Sequence, residues 1–207
     1  YRLSYSYYKL GELQDAEEFL VDGIDANPSH YQSMKLLGDV FLKSGDLESA
    51  IKWYSSAIEV DPNYDKAHYA LGKTLMQNGQ YDEAIIVLEK AVEIKPDYSK
   101  AYETLGVAYQ TSENDSKAIE NYLLAVEKNS KAYIAYYRLA RVYNSSGDYE
   151  NARSASKSSL GIRESYAAAS FELGLAEKCL GNKVAAKTAL ERAKKDKKWR
   201  KNVEFEL

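Results

Sequence analysis

Apolar positions recur along this chain at helical spacing, in short amphipathic stretches that come in pairs. In Tyr31 to Tyr64, Leu37 and Phe41 mark one apolar stripe, and Ala50, Tyr54 and Ala57 mark the next. Slid along the chain in steps of 34 residues, this pair matches itself repeatedly. The pattern predicts helices over 1–10, 13–26, 31–44, 47–60, 65–78, 81–94, 99–112, 115–128, 133–146, 149–162, 167–180 and 183–198.

Punctuation repeats with the same period. Pro28, Pro62 and Pro96 lie one period apart, each placed to end a helix, because proline lacks an N–H and restricts the residue before it. With Tyr31 as position 1, further copies begin at Asp65, Ser99, Tyr133 and Ala167, and an incomplete copy covers 1–30. Position 7 is then Leu3, Leu37, Leu71, Leu105, Leu139 and Leu173. Position 20 is Ala16, Ala50, Ala84, Ala118, Ala152 and Ala186, and position 8 is always small. A small residue facing an alanine lets two antiparallel helices approach closely, with position 24 supplying the opposing bulk. Gly11, Gly45, Gly79, Gly147 and Gly181 stand at position 15, where a helix end wants a left-handed residue. The fourth copy has Glu113-Asn114-Asp115 instead, and Asn114 is the expected left-handed residue there.

Leu-Gly-x-x-Phe/Leu/Tyr at 37–41, 71–75 and 105–109, Ala-x-x-x-Tyr/Leu and the closing proline together resemble the tetratricopeptide repeat. The resemblance covers 1–198 and implies an all-α fold, a right-handed superhelical α-solenoid of antiparallel helix pairs. The expected organisation is a single solenoid with repeats 1–30, 31–64, 65–98, 99–132, 133–166 and 167–198, followed by a tail or cap over 199–207. The fifth copy departs in placing Ser156 and Ser159 where bulk and alanine are usual. It reads either as a thinner helix against Ala167, Ala168 and Ala169, or as a soft joint in a fold whose stability is nearest-neighbour.

The resemblance further implies a concave face lined by the first helix of each copy. Positions 2, 5, 6, 9, 12 and 13 point there, and they carry ten bases against three acids, Asp39, Glu103 and Glu172. The expected partner-binding groove is drawn from Tyr5, Lys35, Asp39, Tyr69, Lys73, Lys100, Tyr137, Arg138 and Arg141. Phe171 and Lys178 fall on the same surface. Such a groove suits a protein or peptide with acidic and apolar or aromatic side chains, drawn in by charge and held in shallow pockets. The chain therefore reads as a non-catalytic adaptor. The alternative is a scaffold that self-associates into a homo-oligomer or larger assembly. Relatives that capture the C-terminal carboxylate of chaperones carry a set of Lys, Asn and Arg that this chain matches only at Lys35 and Lys100. Asp39, Ala70 and Thr104 stand at the other places, and Asp39 would repel such a ligand.

Composition narrows the chemistry. The net charge is −3 with 29% charged residues, which argues against nucleic acid as a partner, and no apolar run is long enough for membrane insertion. Cys179 is alone, so no intrachain disulfide forms; this slightly favours a cytoplasmic location, while the start at Tyr1 rather than Met leaves export open. Gly72-Lys73-Thr74 lacks the earlier glycine of a phosphate loop and sits within a helix. His30 and His68 are isolated from other ligand types, and Cys179 has no histidine beside it, so neither metal, cofactor nor catalytic site is expected. The basic run from Lys194 to Lys201 reads as a helix end that favours cations, or as a docking patch for an acidic partner.

Overall fold

The computed structural model describes residues 1–206, and among them thirteen helices and no strand. In chain order they are α1 (Arg2–Leu10), α2 (Leu13–Ala26), α3 (Tyr31–Ser44), α4 (Leu47–Val60), α5 (Asp65–Gln77), α6 (Tyr81–Ile94), α7 (Ser99–Thr111), α8 (Asp115–Lys128), α9 (Tyr133–Ser145), α10 (Tyr149–Ile162), α11 (Ala167–Cys179), α12 (Lys183–Lys194) and α13 (Arg200–Glu206). They form two units, 1–113 and 114–207, divided within the fourth copy. Each unit is a stack of adjacent antiparallel helix pairs.

The repeated residues make the pairs. Ala16, Ala50 and Ala84 are fully buried in the first unit, as are Ala118 and Ala152 in the second. Against them sit the fully buried position-24 side chains Leu20, Tyr54 and Leu88. A Cβ built on Gly72 would lie 2.5 Å from Leu88 Cγ, and one on Gly38 would lie 2.6 Å from the Tyr54 ring. Close approach, not flexibility, therefore requires glycine at position 8 of these two copies, whereas the first copy carries Ser4 there. The fifth copy inverts this arrangement: Ser156 replaces the bulk, and Ala140, also fully buried, adds the methyl that Gly38, Gly72 and Gly174 withhold. The adjoining Ser159 is buried too and donates from Oγ to the Tyr133 carbonyl at 2.8 Å, so α10 is thin because its partner fills the space.

Between paired helices the chain turns through a left-handed residue. Gly45 has φ 93°, and its N–H and that of Asp46 return to the Leu42 and Phe41 carbonyls. Asp46 then opens α4 by accepting from Ser49 N at 3.0 Å, and Asp148 does the same for α10 from Asn151 N. In the fourth copy the left-handed residue is Glu113, with φ 58°, not Asn114. Asn114 is used one step later, its Oδ1 accepting from Lys117 N at 3.1 Å to cap α8. A single amide side chain serves better as that cap, and the backbone strain falls on its neighbour.

The last predicted helix is shorter than expected and a separate one follows it. α12 ends at Lys194, and α13 folds back so that Val203 is fully buried with Phe171, Leu190 and Ala193, flanked by Leu175 and Trp199. In the repeat register Val203 takes position 3, the place of the buried Ser33, Ala67, Ala101, Ala135 and Ala169. α13 thus packs as the first helix of a further copy would.

Candidate functional site

First helices α1, α3, α5 and α7 of the first unit carry the predicted residues Tyr5, Lys35, Asp39, Tyr69, Lys73 and Lys100. Tyr5 is exposed, stacked at 6.4 Å on Tyr1 and tilted at 6.5 Å against Tyr8, with the Lys9 ammonium 5.1 Å from its ring. Lys35 and Asp39, one turn apart on α3, form an ion pair at 2.7 Å. The second Asp39 oxygen accepts a 2.8 Å hydrogen bond from the hydroxyl of buried Tyr54. Asp39 is therefore fixed from two sides. Lys43 is engaged as well, donating to the Tyr8 carbonyl at 3.0 Å and lying 4.9 Å from that ring.

Tyrosine hydroxyls gather around this pair. Burial, with the Asp39 charge nearby, raises the pKa values of Tyr1, Tyr8 and Tyr54, and burial beside Tyr1, Tyr31 and Asp39 pushes Tyr64 up to about 12. These phenols stay protonated at any physiological pH and can donate hydrogen bonds. Lys73 and Lys100 stand exposed on the same series of helices, outside any ion pair of the first unit's described residues. The cations predicted from spacing are thus not equivalent: Lys35 is neutralised by Asp39, whereas Lys73 and Lys100 remain available.

A further set of aromatics was not singled out from the sequence. Position 34 is Tyr64, Tyr98 and Tyr166, the residue just before the next first helix, and each meets an aromatic of the copy it closes. Tyr64 meets Tyr31 at 4.9 Å, Tyr98 meets Tyr69 at 5.0 Å, and Tyr166 meets Tyr133 and Tyr137 at 5.0 and 5.4 Å. Tyr69 and Tyr137, expected in the groove, are therefore half-buried with one edge against a junction tyrosine. Lys95 lies 5.0 Å from the Tyr98 ring and Arg163 lies 5.1 Å from that of Tyr133, to whose hydroxyl it donates at 2.6 Å. The recurrence of Tyr at position 34 in three copies was the available signal.

In the second unit Arg138 is half-buried and Arg141 exposed. Three residues placed on the presumed groove belong elsewhere. Glu172 is only 5% exposed and accepts from Asn144 Nδ2 at 2.8 Å. Phe171 is covered by Trp199, ring to ring at 4.9 Å, and Lys178 is taken up by Glu206 of α13 at 3.0 Å. Phe171 and Lys178 are covered or engaged from the end of the chain, by Trp199 and by Glu206 of α13, while Glu172 is held from α9 by Asn144.

Burial raises the Glu172 carboxyl above its ordinary pKa, against the Asn144 hydrogen bond and Arg141, which lower it. The fold thus favours the protonated form: its contribution is fully present below the ordinary carboxyl value and is lost as pH rises through the raised one. Glu172→Gln keeps an acceptor for Asn144 without the charge. It is expected to raise stability at pH 7 by on the order of 1 kcal/mol and to flatten the pH dependence of urea unfolding above pH ~4.5. Equal pH profiles for both proteins would count against a strained carboxylate.

The two histidines are structural. His30 Nδ1 accepts from Ser33 N at 3.1 Å as the cap of α3, and His68 is buried with Nε2 at 2.9 Å from the Pro62 carbonyl. Cys179 is exposed. Among the described residues no group of three or more His, Cys, Asp or Glu side chains could hold a metal, and no helix is long and apolar enough to cross a membrane.

Comparison with known families agrees with the helix pairs. One family model, described as TPR repeat, matches residues 38–79 and 72–112; another, described as tetratricopeptide repeat, matches 1–30 and 133–166. The chain belongs to the tetratricopeptide repeat family. Proteins of this kind act through protein–protein contacts. No curated protein matches the chain in sequence. Among solved structures, the repeat pairs superpose on MamA protein with TM-score 0.74 and 29% identity, over 86% of this chain and 96% of that one. YrrB, described as a TPR protein with an unusual peptide-binding site, gives TM-score 0.73 at 21% identity, over 85% and 91%. Pseudomonas aeruginosa pilF gives TM-score 0.82 at 19% identity, over 94% and 88%, a likeness of fold alone.

Proposed function

We propose that this tetratricopeptide repeat protein is a non-catalytic adaptor that holds an extended or helical segment of a partner against the first-helix faces of its repeats. One observation carries the reading: Tyr1, Tyr8 of α1 and the junction Tyr64 lie around the fixed Lys35–Asp39 pair, with Lys73 and Lys100 exposed along the same series of helices. Phenol rings give apolar area and a donor at little entropic cost, as binding surfaces require. The preferred partner has aromatic or apolar side chains for the tyrosines and carboxylates for Lys73 and Lys100. In the second unit Tyr137, Arg138 and Arg141 offer the same combination. A peptide-binding site in YrrB supports the mode.

The test is a pull-down with the intact chain, crosslink mapping of the captured partner, and titration of that partner against Lys73→Glu/Arg138→Glu/Arg141→Glu. Binding is expected to weaken about tenfold or more at low salt, with the circular dichroism spectrum unchanged. Undiminished affinity would place the ligand elsewhere.

Charge asymmetry favours self-association as a second reading. α2 carries Asp15, Glu17, Glu18, Asp22 and Asp25 and no base, while α12 carries Lys183, Lys187, Arg192 and Lys194 against Glu191. The α12 cations line an open cleft of about 1050 Å³ closed on one side by α13. Light scattering across a concentration and salt series separates the readings, since a strict monomer would exclude this one.

A further inference from the structure

Repeat register exposes a place in the second unit where bulk is missing. Position 11 is Phe41, Leu75, Tyr109 and Tyr143 in copies two to five, but Glu177 in copy six. Position 4 is Met34, His68, Tyr102 and Tyr136, but Ser170 in copy six. Two large side chains of the repeat are thus absent from one neighbourhood. A cavity of about 280 Å³ opens there, with Leu160, Leu173 and Ala189 among its apolar walls and Ser170, Glu177 and Thr188 among its polar groups, and with Lys157 and Arg192 also lining it.

Ser170 and Glu177 are not spent on packing. Ser170 is fully buried and its hydroxyl has no hydrogen-bond partner. Glu177 is 5% exposed; its Oε2 accepts from Asn182 at 2.7 Å, while Oε1 has only the loosely held Lys157 ammonium at 3.5 Å. Lys157 stands at position 25 of the preceding copy. At the corresponding pair of positions in the first unit, Tyr109 donates its hydroxyl to Glu89, so that a phenol ring fills the gap and its hydroxyl meets a carboxylate. In copy six the carboxylate is present at the other position of that pair, and the ring is not.

We propose that this cavity is a binding site for a phenolic ring. The ring lies against Leu160, Leu173 and Ala189, and its hydroxyl donates to Glu177 Oε1. The chain makes the same phenol–carboxylate contact internally at Tyr54–Asp39 and at Tyr109–Glu89. Ligand pockets for larger molecules start at about 300 Å³, so this one takes a single ring and little more. The phenol comes either as a small molecule or as a tyrosine side chain of a bound protein.

Methyl NMR on the intact chain tests this with 4-methylphenol. Saturable shifts confined to the methyls of Leu160, Leu173 and Ala189 are expected, with Kd on the order of 1 mM for so small a ligand. Toluene, which cannot donate to Glu177, is expected to bind about fivefold weaker or less well. Absence of saturable shifts up to about 10 mM, or equal binding of toluene, would overturn the site. Ser170→Met restores the bulk found at Met34 and is expected to abolish the shifts. Should that variant not fold, Glu177→Gln keeps the cavity and is expected to reduce the preference for the phenol over toluene; an undiminished preference overturns the assignment. A capped Gly-Tyr-Gly peptide in the same titration identifies the source. Shifts at the same methyls point to a tyrosine-bearing partner, and binding of 4-methylphenol without the peptide points to a small molecule.

Discussion

Gly72→Ala is expected to destabilise the first unit by about 2–3 kcal/mol, an unusually large cost for one methyl group. The added Cβ would sit 2.5 Å from Leu88 Cγ and 2.9 Å from Leu88 Cδ2, and Leu88 is fully buried and cannot swing aside. The Ala84 carbonyl, 3.4 Å away, blocks relief on the other side. The fifth copy supplies its own control. Gly72→Ala/Leu88→Ser recreates the Ala140/Ser156 combination that already packs in this chain. Leu88→Ser alone leaves a cavity and costs about 3 kcal/mol, but the double variant should cost at least about 1 kcal/mol less than the sum of the two. Urea unfolding followed by circular dichroism measures all three; strict additivity would show that the two positions do not share a space.

Val203→Asp is the second change with a large expected effect. Val203 is fully inside the cluster of Phe171, Leu190 and Ala193, and a carboxylate there has no partner. Leaving such a charge buried would cost about 3–5 kcal/mol, more than one short helix gains by docking, so α13 should detach rather than carry it. Detachment uncovers Phe171 and frees Lys178, so the loss is confined to the last helix pair. Amide exchange should quicken in α11 and α12 while α3 and α4 keep their protection, and trypsin should cut between Lys194 and Lys201. Unchanged exchange in α11 would mean that α13 contributes nothing to that pair.

What repeats was legible in the sequence. Alanine at position 20, glycine at position 8 and glycine at position 15 constrain backbone approach and backbone conformation, and such constraints recur with the period wherever two helices meet. Helix boundaries followed within one or two residues, except at the end. There the seven residues of α13 span fewer than two turns, too few for a period to show. Side-chain partnerships were harder to read. Asp39 was assigned to the groove, yet its contact with Tyr54 depends on a hydroxyl fifteen residues away in the second helix. Asn114 and Glu113 both sat at the fourth turn, and spacing could not say which would take the left-handed conformation and which the cap. Glu172 was counted as a surface acid because position 6 was assigned to the groove, although Leu36 is buried at that position in the second copy. Its burial comes with Asn144 of the preceding first helix, a partner 28 residues away that no periodicity announces. The junction tyrosines were visible as a recurring letter, but their role rests on rings that meet across a whole repeat.

The matching of positions 8 and 24 reaches into how such a chain can diversify. A crossover at a copy boundary transmits Gly72 with Leu88, or Ala140 with Ser156, as an intact set. A crossover in the turn between the two helices would join Ala140 to Leu88, which clash at the spacing of the third copy, or Gly72 to Ser156, which leave a void. Recombination is therefore tolerated at one junction of each repeat and penalised at the other. The unit of inheritance is the helix pair, fixed by a single methyl group and the space it fills.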